Sequence, residues 1–125
     1  MKSHTDIEQS KKLAEILSVE SVDMKWMYWK SEIDTPKIPT FGYGKFAAEC
    51  YNNNTEGVYL PCWSLAALLN VINDDYYTTL YHDGVAWNIT AIHHDNIKDK
   101  HNVYANTQVD ACVEMILTLK EKDLL

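Results

Sequence analysis

The sequence predicts an α+β fold: an antiparallel sheet of three to five strands packed by about three helices. Three observations carry this. Between Leu60 and Ile72 only Ser64 and Asn70 are polar, and Leu65, Leu68, Leu69 and Ile72 fall at i, i+3, i+4 and i+7, one helical stripe. Two strand-like runs, Tyr76 to Tyr81 and Val85 to His93, flank His82-Asp83-Gly84, with Asp-Gly as the hairpin turn signal. Near the end of the chain Val109, Cys112, Val113, Ile116 and Leu119 form a second continuous helical stripe. At 125 residues, 46% of them apolar, the chain is expected to make a single α+β domain over 1–125 with a real core.

In chain order, Thr5 with Glu8 three residues on suggests a capping box opening a first helix over about 5–18, with Leu13, Ile16 and Leu17 as its apolar edge. Met24 to Lys30 alternates as a strand, Met24, Trp26 and Tyr28 on one face, Lys25, Met27 and Trp29 on the other. Ser31 to Gly44 holds Pro36, Pro39, Gly42 and Gly44 and is expected to be irregular. Lys45 to Tyr51 suits either a short helix or a strand, and a turn cluster at Asn52–Gly57 leads through Val58-Tyr59-Leu60 into the central helix near 61–72.

That central helix starts at Pro61, whose missing N–H has no helical partner in a first turn, or later with Ser64 as cap. It is apolar on nearly every side, so it is expected to be covered on two sides. In the hairpin that follows, Val85, Trp87, Ile89 and Ala91 are expected to face the core. His94 to Asn102 is polar and is expected to be a connection, with Val103-Tyr104 as a short edge strand. The last helix runs from about Thr107 to Lys122, capped by Asn106 or Thr107, with Lys120 and Lys122 near its negative end.

Charge narrows the function classes. The chain has eleven lysines and no arginine. Arginine is the preferred fork for phosphates and guanine edges, so direct nucleic-acid binding is disfavoured. From Phe46 to Ile97 there is no lysine against six carboxylates, a formal −6 within a chain total of −7. Such a surface repels phosphate backbones and attracts basic partners. No run approaches the about 20 apolar residues of a membrane span, and the N-terminus lacks the apolar region of a secretory signal. Three scattered cysteines without a C-x-x-C pattern fit free thiols in a reducing cytoplasm.

Four blocks resemble one known group. They are Glu8-Gln9-Ser10-Lys11-Lys12-Leu13-Ala14-Glu15-Ile16-Leu17, then Glu20-Ser21-Val22-Asp23-Met24, then Pro61-Cys62-Trp63-Ser64-Leu65-Ala66-Ala67-Leu68-Leu69. The fourth is Val109-Asp110-Ala111-Cys112-Val113-Glu114-Met115-Ile116-Leu117. Together these are similar to short proteins of gut Bacteroidales-type bacteria and of their phages and prophages. The resemblance implies an intracellular protein carried on a mobile element, and it assigns no activity.

Candidate chemistry is sparse. His93, His94 and His101, with Asp95 nearby, are zinc-type ligands, yet adjacent histidines on an extended segment point apart and no H-x-x-x-H spacing occurs. Solvated loop histidines are the simpler expectation. Cys62 near a helix N-terminus would have its thiolate favoured, whereas Cys112 belongs to the buried stripe of the last helix. Asp74-Asp75 lacks the alternating oxygen ligands of a calcium loop. The phosphate-cradle and nucleophile-elbow motifs are missing. No cofactor is expected.

The surplus lies in the aromatics, four tryptophans and eight tyrosines. Tyrosine and tryptophan are enriched at protein interfaces, where they bury much area at little entropic cost. Trp29, Tyr77 and Tyr81 project away from the assigned core face and are the binding candidates. The leading expectation is a non-enzymatic cytoplasmic domain that binds another protein or its own copy, in one version as an acidic, phage-encoded inhibitor. The alternative is a small thiol- or metal-dependent enzyme using Cys62 or the His93–His94 region.

Overall fold

The computed structural model describes residues 2–29, 40–41 and 57–125, with the backbone alone at 19, 25–29, 40–41 and 57–59. The fold is α+β, with antiparallel strands and three helices among the described residues. The order is α1 (Ile7–Ile16), a 3-10 turn (Val19–Ser21), β1 (Met24–Trp29), β2 (Thr40–Phe41), β3 (Gly57–Cys62) and α2 (Leu65–Asn73). Then come β4 (Tyr76–His82), β5 (Trp87–His93), β6 (Asn96–Ala105) and α3 (Gln108–Glu121). Among the described residues the strands form two three-stranded sheets, β2-β1-β3 and β4-β5-β6, so the Met24 strand pairs with β2 and β3 rather than with the later hairpin. The chain divides into two compact units, His4–Ala67 and Met1–Ser3 with Leu68–Leu125, the division falling within α2.

In the first unit Asp6, not Thr5, caps α1. Its carboxylate accepts the Gln9 N–H at 2.8 Å while Gln9 Oε1 accepts the Asp6 N–H at 3.1 Å, a reciprocal capping box one residue later than expected. Thr5 is buried instead. Its hydroxyl pairs with Ser10 Oγ at 2.8 Å and accepts the Trp63 N–H at 3.1 Å. The helix packs against β3.

β3 pairs antiparallel with β1 from Met24↔Cys62 to Trp29↔Gly57, which places Pro61 opposite Lys25 in a strand rather than in a helical first turn. The reason is position: among the described residues β3 is a sheet edge, where a residue without an N–H is tolerated. The central helix therefore begins after Ser64, whose Oγ accepts the Ala67 N–H at 3.2 Å. Asp23 holds the cap in place, accepting the Ser64 N–H at 2.9 Å with one carboxylate oxygen and the Ser64 hydroxyl with the other. Along α2 Ala67, Leu68 and Ile72 are buried, Leu65, Leu69 and Val71 are half-buried, and Ala66 and Asn70 are exposed. The helix is thus covered on its Leu68–Ile72 side and open on another, less enclosed than its composition suggests.

In the second unit β4 and β5 pair from Tyr76↔His93 to His82↔Trp87, closed by a four-residue loop, Asp83-Gly84-Val85-Ala86. Gly84 sits at φ +96, a left-handed conformation that glycine adopts without a Cβ penalty. Asp83 Oδ1 accepts the N–H groups of Val85 and Ala86, each at 2.9 Å. Val85 belongs to this loop and is 88% exposed, so it does not join Ile89 and Ala91 in the core. β6 runs ten residues beside β5, through the stretch expected to be a polar connection. α3 packs on β5 and β6, burying Val109, Cys112, Val113, Ile116 and Leu119, and Thr107 caps it by accepting the Asp110 N–H at 3.0 Å.

Candidate functional site

Strand alternation divides the residues of the second sheet between two faces. On the face packed by α3 stand Tyr76, Ile89 and Ala91, all buried. On the other face three cross-strand rows follow from the register: Tyr77–Ile92–Lys100, Thr79–Thr90–Asn102 and Tyr81–Asn88–Tyr104. Tyr77 is 67%, Tyr81 44% and Tyr104 72% exposed. With strands about 4.8 Å apart and about 3.3 Å per residue, the rings mark a patch roughly 10 Å by 13 Å at backbone level. None of these nine outward positions is a carboxylate, although the chain holds 18 acidic residues.

The face is braced beneath its rings. Asn102 Nδ2 donates to Thr90 Oγ1 at 2.7 Å along the middle row. Asn88, buried between Tyr81 and Tyr104, donates to Asp83 Oδ2 at 2.9 Å and to the Ala86 carbonyl at 3.3 Å. The N–H groups of Ala86 and Val85, with the Asn88 amide, hold the Asp83 carboxyl down at about 2. Tyr77 lies against the His94 ring, centroids 4.3 Å apart. Ring orientation at one corner of the patch is therefore set by a neighbour.

Tyr77 and Tyr81 stand where alternation along β4 places them. Tyr104 joins them through β6, of which the sequence suggested only Val103-Tyr104 as a short edge strand and not the ten residues beside β5. Its signal was an alternation of Lys100, Asn102 and Tyr104 with His101, Val103 and Ala105. Trp29 ends β1 opposite Gly57, and its side chain lies outside the described residues.

The histidines separate. His94 turns onto Tyr77, while His93 and His101 both lie edge-on to Tyr76, with centroids 5.2 Å and 6.0 Å away. Among the described residues no group of three histidine, cysteine, aspartate or glutamate side chains is arranged to hold a metal ion. His101 Nε2 instead meets Asp99 Oδ1 at 2.5 Å, and the Tyr76 hydroxyl donates to Asp99 Oδ2 at 2.9 Å. Burial alone would raise the Asp99 carboxyl; the hydrogen bonds from Tyr76 and His101 outweigh it and hold the carboxyl low.

Cys62 is buried in the first unit beside Thr5, with sulfur–oxygen distances of 3.5 Å. Burial pushes its thiol up to about 11, opposite to the lowering expected from a helix N-terminus, because the residue ends β3 and is not part of the helix. Cys112 is likewise raised by burial, to about 12.

No protein family, curated protein or solved structure matches the chain. Among the described residues no helix is long and apolar enough to cross a membrane.

Proposed function

We propose that the chain is a non-enzymatic binding domain whose working surface is the outward face of the β4–β5–β6 sheet. One observation carries this reading: Tyr77, Tyr81 and Tyr104 stand exposed together on a sheet face that presents no carboxylate. Interface centres are enriched in tyrosine and depleted in charged groups, and large rings with few rotatable bonds lose little entropy on docking. The partner is a protein surface with an apolar centre and hydrogen-bond acceptors that can meet the phenolic hydroxyls, Asn102 and Lys100.

The acidity of the chain lies outside this patch, so the acidic-inhibitor version draws its support from net charge alone and the aromatic patch favours ordinary protein docking. A host protein of a mobile-element carrier suits the resemblance to Bacteroidales-type and phage proteins, and a cytoplasmic setting suits the buried free thiols. Burial raises the Cys62 thiol to about 11 and encloses it, which supports the binding reading over a thiol mechanism at that residue.

The test is affinity capture with identification of the retained protein, comparing the wild type with a Tyr77→Ala/Tyr81→Ala/Tyr104→Ala variant and a Glu114→Ala control on the exposed side of α3. The partner should be kept by the wild type and the control and lost by the triple variant. Retention by the triple variant would refute the reading.

A further inference from the structure

Resting on that binding-domain reading, we propose that the outer edge of β4 takes a second copy of this chain, joining two β4–β5–β6 sheets into one six-stranded sheet. The two edges of the sheet differ. β6 carries Lys98, Asp99 and Lys100, and its register against β5 jumps from Ile92↔Lys100 to His93↔Asn96, leaving 97–99 as extra residues. Charges and bulges are the devices that blunt a sheet edge against pairing. β4 has neither. Its seven residues, Tyr-Tyr-Thr-Thr-Leu-Tyr-His, include no carboxylate, lysine, proline or glycine, and among the described residues β5 is its only hydrogen-bonded strand. Tyr77, Thr79, Tyr81 and His82 are exposed along it.

Self-complementarity names the occupant. A two-fold axis normal to the sheet through Thr79 keeps the two faces matched and makes the strands antiparallel. Tyr77 then stands opposite Tyr81 of the second copy, Thr78 opposite Leu80 and Tyr76 opposite His82. Both outer pairs are aromatic, the kind that stabilises antiparallel neighbours. Within the strand no like charges meet; only Asp75 and Asp83 come level at the ends, so added salt strengthens the pairing. The same operation on β6 would gather the lysines of both copies. The dimer also makes one continuous outward face carrying the tyrosines of both chains.

The experiment uses the full chain and sedimentation across a concentration series, with Thr79→Lys and Thr79→Asp alone and mixed. Thr79 is exposed, and a thermal melt confirms that each variant folds. The wild type should dimerise with concentration, and each variant should weaken the dimer about tenfold or more, because equal charges meet at the axis. The mixture should recover a heterodimer through opposite charges. A wild type that stays monomeric, or a dimer indifferent to Thr79→Lys, would overturn the proposal. Tyr104→Ala, remote from this edge, should leave the dimer intact; partner capture by that variant reports on the binding face separately.

Discussion

The Tyr76 hydroxyl donates to Asp99 Oδ2 at 2.9 Å, and the same carboxylate meets His101 Nε2 at 2.5 Å through its other oxygen. A buried phenol, an anionic acceptor and an imidazole thus satisfy one another between the two edge strands of the second sheet. A hydrogen bond to a charged group contributes about 1.5–3 kcal/mol, and a buried donor stripped of its acceptor costs about 1–3 kcal/mol. Asp99→Ala should therefore destabilise the chain, since it leaves the buried Tyr76 hydroxyl without its acceptor. Tyr76→Phe should cost less, since it removes donor and need together while leaving Asp99 paired to His101. Urea unfolding of both variants checks the order, which a purely electrostatic account of Asp99 would not require.

The Asp99 carboxyl is held below its ordinary value in the folded chain, so its contribution is present above the unfolded carboxylate range. It is lost as pH falls through the lowered folded value. Denaturant midpoints taken downward from pH 6 should fall more steeply in the wild type than in Asp99→Asn.

At alkaline pH the sign reverses. Burial first, then the hydrogen bond and charge of Asp99, raise Tyr76 from 10.0 to about 12; burial raises Cys62 from 9.0 to about 11 and Cys112 from 9.0 to about 12. Groups raised on folding stabilise fully below their unfolded values and lose that stabilisation as pH climbs through the folded ones. Stability should hold to about pH 9 and decline from there toward pH 12. Tyr76→Phe should make the part of that decline above pH 10 shallower, as read by urea midpoints.

Leu68 is wholly buried on α2 and Ala66 is exposed. Leu68→Ala should cost about 2–5 kcal/mol, as buried leucines do. Ala66→Ser should stay within about 0.5 kcal/mol of the wild type. Equal melts for the two variants would refute the orientation of the helix.

Ser64 both caps α2 and donates to Asp23. Ser64→Ala should cost about 0.5–2 kcal/mol, the range for a lost N-cap. If the helix began at Pro61 instead, the same change would be nearly silent in a thermal melt.

Much of this fold was legible because its determinants are local. α3 carries its Thr107 cap, its Lys120 and its apolar stripe within one segment, and the structure keeps all three. The β4–β5 pairing was legible through Asp83-Gly84, but the loop's extra residues moved Val85 from strand to solvent. Two features were hidden by ambiguity. Pro61 suits a helix start and an edge strand equally, and only its pairing with Lys25, far away in sequence, decides between them. β6 was obscured because two of its inward positions are Asp99 and His101, polar groups that satisfy each other and interrupt the apolar alternation by which strands are recognised. The candidate site inherited both outcomes: Tyr77 and Tyr81 followed from alternation along β4, while Tyr104, expected on a short Val103-Tyr104 edge strand, took its place in the rows only through the full length and register of β6.

Thermal unfolding of the Tyr77→Ala/Tyr81→Ala/Tyr104→Ala variant tests most directly whether these rings act outward or hold the sheet together. Rings displayed for a partner should each be worth no more than about 0.5 kcal/mol to the folded chain, leaving the melt close to that of the wild type. A loss on the scale of buried aromatics, about 3–5 kcal/mol for each ring, would contradict the account by making the patch part of the core.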